Sequence, residues 1–109
     1  DLVCCRAGAG AITELLHLRK PSILVPLPSS AAGHQLENAG VLTGAGAAVA
    51  IEETHTLEER LAEELGRLLA GPAALAALRA GFAALKDLPD PVRAAANLVS
   101  AMERLLERC

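Results

Sequence analysis

Aromatic side chains are almost absent from this chain of 109 residues, in which Phe82 is the only one and neither tryptophan nor tyrosine occurs. Proteins that bind single-stranded nucleic acid usually stack bases on aromatic rings beside basic residues. A basic surface is the more general mark of a nucleic-acid binder, whereas this chain has a net charge of −3 at pH 7. Composition therefore argues against nucleic acid as a partner.

Long apolar runs and recognisable cysteine patterns are missing as well. No apolar run approaches the roughly 20 residues of a membrane-spanning helix, and no signal-peptide pattern is visible. Cys4, Cys5 and Cys109 are odd in number and lack metal-ligand spacing, so we expect buried, reduced thiols. Because the first residues already form a strand-like run, we expect the chain to be cut from a longer protein.

What the sequence does contain is a regular alternation of apolar patterns. Short apolar runs predict strands at residues 2–5, 22–27 and 47–51. Helical spacing predicts helices over residues 11–18 and 34–43, with apolar stripes that include Leu18 and Leu36. A Thr56–Glu59 capping box opens a third helix, Pro72 opens a fourth that continues to Leu85, and Asp90-Pro91 opens a fifth.

Strands that alternate with helices predict an α/β fold. We expect a partial doubly wound parallel sheet of about three strands with flanking helices. The absence of an internal repeat or linker predicts a single, truncated domain over residues 1–109, with a helical part from about residue 56.

Ligands of open parallel sheets bind beyond the carboxyl ends of the strands. The loop there at residues 6–11, with the sequence RAGAGA, suits an anion because backbone N–H groups can approach it at a helix N-terminus. Thr13 replaces the third glycine of a dinucleotide fingerprint and no acid follows the second strand, which disfavours nicotinamide or flavin binding. A plain tight turn that needs glycine remains an alternative.

Four polar residues near these loops are candidates for ligand contact. Glu14 is predicted in the first turn of its helix, where the helix dipole favours a carboxylate, and its oxygens could also accept hydrogen bonds from a ribose diol. His34, Gln35 and Asn38 lie at i, i+1 and i+4 of the next helix, and amides match sugar hydroxyls; a solvated polar face is the alternative. Glu37 is expected to be exposed. No nucleophile–base pair or metal cluster is convincing.

Taken together in order and spacing, four segments resemble the C-terminal half of the second domain of GT-B glycosyltransferases. The likeness is to the MurG-type family of bacterial UDP-N-acetylglucosamine transferases, and it covers roughly the first half of the chain. Its segments are Cys5-Arg6-Ala7-Gly8-Ala9-Gly10-Ala11-Ile12-Thr13-Glu14, Lys20-Pro21-Ser22-Ile23-Leu24-Val25-Pro26, His34-Gln35-Leu36-Glu37-Asn38-Ala39 and Ala45-Gly46-Ala47-Ala48.

The resemblance implies a donor site. Glu14 would hold the ribose hydroxyls, and backbone amides around Ala9, Gly10 and Ala11 would face the diphosphate. His34, Gln35 and Asn38 would contact the N-acetylglucosamine or lie beside it. Arg6, where natural-product enzymes usually have histidine, favours the peptidoglycan branch and completes the substrate-binding set. The family usually has threonine at the position of Ala11, so a side-chain hydroxyl is lost here.

The function implied is transfer of N-acetylglucosamine, with inversion, from UDP-N-acetylglucosamine to a lipid-linked muramyl-pentapeptide in peptidoglycan synthesis. The resemblance implies no cofactor and no bound metal, and a cytoplasmic enzyme at the inner face of the bacterial membrane. The catalytic base and the lipid-facing surface would lie in another domain, so the fragment alone is expected to be inactive. Alternatives are another UDP-sugar transferase, a donor-binding subunit of the dolichol type, or a non-catalytic interaction module.

Overall fold

The computed structural model describes residues 1–30, 33–85 and 91–108. Strands and helices alternate at first, and helices follow one another in the second half. The elements are β1 (Val3–Cys5), α1 (Ala9–Leu18), β2 (Ser22–Leu24), α2 (His34–Gly44), β3 (Ala48–Ala50), α3 (Leu57–Ala70), α4 (Pro72–Gly81), a 3₁₀ turn (Phe82–Leu85) and α5 (Pro91–Leu106).

The three strands form one parallel sheet in the order β1-β2-β3. Val3 and Ala48 both lie opposite Ser22, so β2 is central and its three residues are buried. Single hydrogen bonds extend both ladders by one residue, from Val25 N–H to the Cys5 carbonyl and from Ile51 N–H to the Leu24 carbonyl. The second strand is shorter than predicted because Pro26 has no N–H to donate. The α/β fold with a partial doubly wound parallel sheet is confirmed.

Apolar side chains pack on both faces of this sheet. Leu24 belongs to a cluster with residues of α1 and α2, and the neighbouring Ile23 belongs to a cluster with residues of α3 and α4. Adjacent strand residues point to opposite faces, which explains the division. The members of the first cluster include Ile12, Leu15, Ala39, Leu42 and Phe82, and those of the second include Ile51, Leu68 and Leu78.

Helix α1 begins at Ala9, earlier than predicted. Glu14 is therefore the sixth helical residue, and the expectation that it lies in the first turn is wrong: that turn contains no acidic residue. The dipole interaction, which fades beyond the first turn, does not account for this carboxylate.

The starts and ends of the later helices differ in detail from the predictions. Thr56 is the residue before α3, as predicted, but the capping bond is absent because its backbone is not extended (φ −100°, ψ 11°). Its hydroxyl instead lies 3.0 Å from that of Thr54. The predicted helix through Leu85 ends at Gly81 and tightens into the 3₁₀ turn, which places Phe82 in the core.

Several predicted burials are also wrong. Leu18 and Leu36, assigned to apolar stripes, are about 60% and 58% exposed. Cys4 is exposed on the edge strand β1, while Cys5 is half-buried. Burial, with a smaller effect from Cys4, raises the pKa of the Cys5 thiol. The predictions for Asp90 and Cys109 lie outside the described residues.

In the described part of the chain, no single helix has both the length and the apolar character to cross a membrane. Helix α3 and the following segment, Pro72–Leu85, reach that length and apolar character only when taken together, and they are bent by 97° at the break between them.

Candidate functional site

Three loops lie together at the carboxyl edge of the sheet, one after each strand. The first loop comprises residues 6–8, the second residues 25–33 and the third residues 51–56. Residues 31 and 32 of the second loop lie outside the described residues. Parallel pairing brings these loops to the same edge, which is where ligands bind in this class of sheet.

The first loop leads into a helix end with unpaired donors. The first helical hydrogen bond runs from the Ile12 N–H to the Gly8 carbonyl, at 3.0 Å. The N–H groups of Ala9, Gly10 and Ala11 donate to no described residue, and no side chain caps the helix. Three such N–H groups with the positive end of the helix dipole form an arrangement that attracts anions.

Neither glycine at this helix end is required by backbone conformation. Gly8 has φ −64°, which any residue adopts, and Gly10 is helical. A Cβ atom built on either would meet nothing within 4 Å. The alternative of a tight turn that needs glycine is therefore not supported, because neither the backbone conformation nor the space around these positions requires it.

Gln35 connects the first loop with the second. Its side-chain Oε1 accepts hydrogen bonds from the backbone N–H of Ala7 at 3.3 Å and from that of Leu27 at 2.9 Å. Ser30 supports the start of α2, since its hydroxyl accepts a hydrogen bond from the Gln35 N–H at 3.3 Å. One amide oxygen thus links two loops that are far apart in sequence.

Asn38 lies one helical turn after Gln35 and contacts the same residue. Its Nδ2 donates to the Ala7 carbonyl at 3.0 Å, so both backbone polar groups of the fully buried Ala7 are bonded to side chains of α2. His34 is exposed at the first position of α2 and makes no hydrogen bond with a described residue. The structure therefore brings Gln35 and Asn38 together on the first loop, and leaves His34 at the surface.

Arg6 connects the first loop with the third. Its Nη1 lies 2.5 Å from Glu53 Oε2 and donates to the Val25 carbonyl at 3.4 Å. The hydrogen bond between the side chains, together with the attraction of opposite charges, holds the pKa of the Glu53 carboxyl below its usual range and raises the pKa of Arg6. Both side chains are partly exposed.

Glu14 lies on the same face of α1 as Gly10, close to the uncapped N-terminus. It is four residues after Gly10, which places it one turn further along that face. Its side chain is exposed and makes no hydrogen bond or ion pair with a described residue. The Thr13 hydroxyl donates its proton to the Ala9 carbonyl at 2.9 Å, so it has no proton left to donate to a ligand.

A cleft of about 250 Å³ lies between the second and third loops. Apolar residues of the second loop and Leu36 form one side, which explains why that leucine is exposed, and Glu52, Glu53 and Thr54 form the other. Sequence reasoning missed Glu53 and Ser30, because neither belongs to a motif. Glu53 meets its partner Arg6 only in the folded chain, and Ser30 accepts its hydrogen bond from a backbone N–H, which no sequence pattern marks. Sequence reasoning also placed Leu36 on the apolar face of its helix and not at the cleft. Glu37 is exposed as expected, and His17 and His55 are exposed as well.

The fold is that of a partial doubly wound α/β domain, with three loops gathered at the carboxyl edge of its sheet. Residues 1–90 match the glycosyltransferase family 28 C-terminal domain, and the chain belongs to this family. The resemblance inferred from the motifs is thereby confirmed, and the match extends into the helical part of the chain.

Three curated relatives share one name, UDP-N-acetylglucosamine–N-acetylmuramyl-(pentapeptide) pyrophosphoryl-undecaprenol N-acetylglucosamine transferase. The Sorangium cellulosum protein is 44% identical over 99 residues, which cover 91% of this chain and 24% of the relative. The Nitrobacter hamburgensis protein is 41% identical over 104 residues, covering 95% and 28%. The Anaeromyxobacter sp. (strain K) protein is 53% identical over 72 residues, covering 66% and 19%. The chain thus spans about a quarter of the length of these relatives.

Proposed function

We propose that this chain is the donor-binding domain of an enzyme that transfers N-acetylglucosamine from UDP-N-acetylglucosamine to a lipid-linked muramyl-pentapeptide. The observation that carries the proposal is the uncapped start of α1, where three N–H groups donate to no described residue, with uncrowded Gly8 and Gly10 beside them and Glu14 one turn further on. Family membership and the names of the relatives support the choice of ligand.

In the proposed donor site, different residues bind different parts of the donor. The N–H groups of Ala9, Gly10 and Ala11 bind the diphosphate, and Glu14 accepts hydrogen bonds from the ribose hydroxyls. The side chains at the start of α2, His34, Gln35 and Asn38, face or support the sugar. Arg6 holds the first loop against the third through Glu53.

In the proposed reaction, an acceptor hydroxyl attacks the anomeric carbon and the bond to the diphosphate breaks, with inversion at that carbon. Negative charge develops on the departing UDP, and the helix end stabilises it through fixed N–H dipoles that need no rearrangement. The base that takes the hydroxyl proton and the lipid-facing surface belong to another domain. Residues 1–109 form a truncated part of a single domain of that longer enzyme, inactive alone, and the enzyme acts at the cytoplasmic face of the membrane.

Calorimetry on the full-length protein that contains this chain tests the donor site. Glu14→Ala is expected to weaken UDP binding about ten- to hundredfold, because hydrogen bonds to a charged group contribute roughly 1.5–3 kcal/mol. Glu37→Ala removes an exposed carboxylate in the first turn of α2 and serves as the matched control, with unchanged affinity. Equal affinities for the two variants would contradict the role of Glu14. A full-length protein that binds no UDP would favour the interaction module instead.

A further inference from the structure

Gln35 has a bonding pattern that a side chain serving only as a sugar contact would not need. Its Oε1 accepts two backbone N–H groups, one from Ala7 and one from Leu27. Two accepted bonds use the lone pairs of an amide oxygen. The Nε2 group therefore remains as the polar group through which this side chain could meet a ligand, and it can only donate.

These bonds determine where the proposed diphosphate-binding helix end lies. Ala7 is fully buried and immediately precedes Gly8, the residue before α1. Its N–H is held by Gln35 and its carbonyl by Asn38, both from α2. The position of the unpaired N–H groups of α1 thus depends on side chains of a different helix.

We infer that Gln35 is a positioning residue, whose oxygen fixes the first loop against the second and so aims the N-terminus of α1 at the diphosphate. The inference rests on the proposed function for the identity of the ligand. It predicts that loss of the Gln35 oxygen weakens binding of UDP itself, which lacks the N-acetylglucosamine. A residue that contacted only the N-acetylglucosamine would leave UDP binding unchanged.

Two substitutions distinguish the role of the Gln35 oxygen from that of its amide nitrogen. Gln35→Met removes both and leaves the Ala7 N–H without its partner. Gln35→Glu keeps an oxygen that can accept both backbone bonds, with added charge, and removes the Nε2 donor. Glu37→Gln, an exposed position on the same helix, is the matched control.

The affinities for UDP and for UDP-N-acetylglucosamine are measured by calorimetry on the full-length protein. Salt at about 1 M reduces the Debye length to about 3 Å and suppresses long-range repulsion from the new glutamate. We expect Gln35→Met to weaken both ligands by about tenfold. Gln35→Glu should keep UDP affinity within about threefold and lose affinity for the UDP-sugar alone. UDP affinity unchanged in Gln35→Met would overturn the inference.

Hydrogen exchange supplies a readout that needs no ligand and no Met variant. The Ala7 and Leu27 amides are expected to be protected in the wild type and to stay protected in Gln35→Glu. Exchange of both at the rate of an unstructured peptide in the wild type would overturn the positioning role, even if Gln35→Met failed to fold. A wild type that protects these amides but binds no UDP would refute the proposed function and leave the loop contact standing.

Discussion

Among the described residues, the ion pair between Arg6 and Glu53 is the only one that joins two loops of the proposed site. The Arg6 guanidinium also donates to the Val25 carbonyl, so this residue of the first loop contacts both the second loop and the third. Exposed ion pairs contribute little to stability in general. The Arg6–Glu53 pair matters through its position, because it fixes two loops at the edge where the donor is proposed to bind.

The titration of Glu53 tests this pair. The folded-state pKa of Glu53 is lowered by the Arg6 hydrogen bond, so the stabilisation is present above a glutamate's ordinary pKa and is lost as the pH falls through the lowered one. We expect Arg6→Gln to move the Glu53 midpoint upward when the carboxyl carbon is followed by NMR. The gap in urea midpoint between wild type and Arg6→Gln should close on acidification.

Arg67→Gln provides the control for that titration. Arg67 pairs with Glu64 within α3, so its loss removes a positive charge of the same kind without touching Arg6. The Glu53 midpoint should then remain where it is in the wild type. A Glu53 midpoint that is the same with and without Arg6 would refute the pairing in solution.

At the residue scale, the sequence selected side chains that the fold brings to one edge of the sheet, but it did not indicate what they contact. Gln35 and Asn38 were selected from their spacing and Arg6 from the family resemblance, and all three contact loops at the predicted edge. Their described partners are mostly backbone groups, which look alike at every position in a sequence. Glu53 lies 47 residues from Arg6, and no local pattern links the two.

At the scale of elements, helices and strands were predictable because apolar spacing and proline mark them locally. The end of α4 was not, because its cause is a contact between distant segments. Gly81 lies against the turn before β3, and a Cβ atom built on it would be 2.5 Å from the carbonyl carbon of Gly46 and 2.7 Å from the Ala45 oxygen. That turn itself needs glycine, since Gly46 has φ +72°.

Gly81→Ala is therefore expected to destabilise the protein, by about 1–3 kcal/mol, because the helix end must move away from the turn. Gly66→Ala is the matched control: Gly66 lies inside α3 with nothing within 4 Å of the added atom. There, alanine should stabilise by roughly 0.5–1 kcal/mol through helix propensity. Urea unfolding measures both variants, and a Gly81→Ala variant that is stabilised as Gly66→Ala is would show that the close approach of α4 is not real in solution.

At the scale of the whole molecule, the described core lies around the sheet and α5 contributes little to it. The two apolar clusters contain residues from β2, β3 and α1 to α4, and the partly buried Val3 and Cys5 of β1 pack against the first of them. Helix α5 keeps an apolar stripe exposed, through Leu98, Val99, Met102, Leu105 and Leu106. The radius of gyration is 16.9 Å, against about 13 Å for a compact domain of this length. The family match to residues 1–90 ends just before this helix.

This distribution predicts unequal costs for the same substitution in two helices. Leu68→Ala empties a position of α3 that is about 1% exposed, whereas Leu105→Ala trims a side chain of α5 that is about 64% exposed. We expect the first to lower the free energy of unfolding by about 2–5 kcal/mol and the second to change it by less than about 0.5 kcal/mol. Urea unfolding of the 109-residue chain, followed by circular dichroism, compares them. A cost of Leu105→Ala similar to that of Leu68→Ala would mean that α5 packs on the sheet in solution, and that the folded core of the isolated chain extends beyond the two clusters.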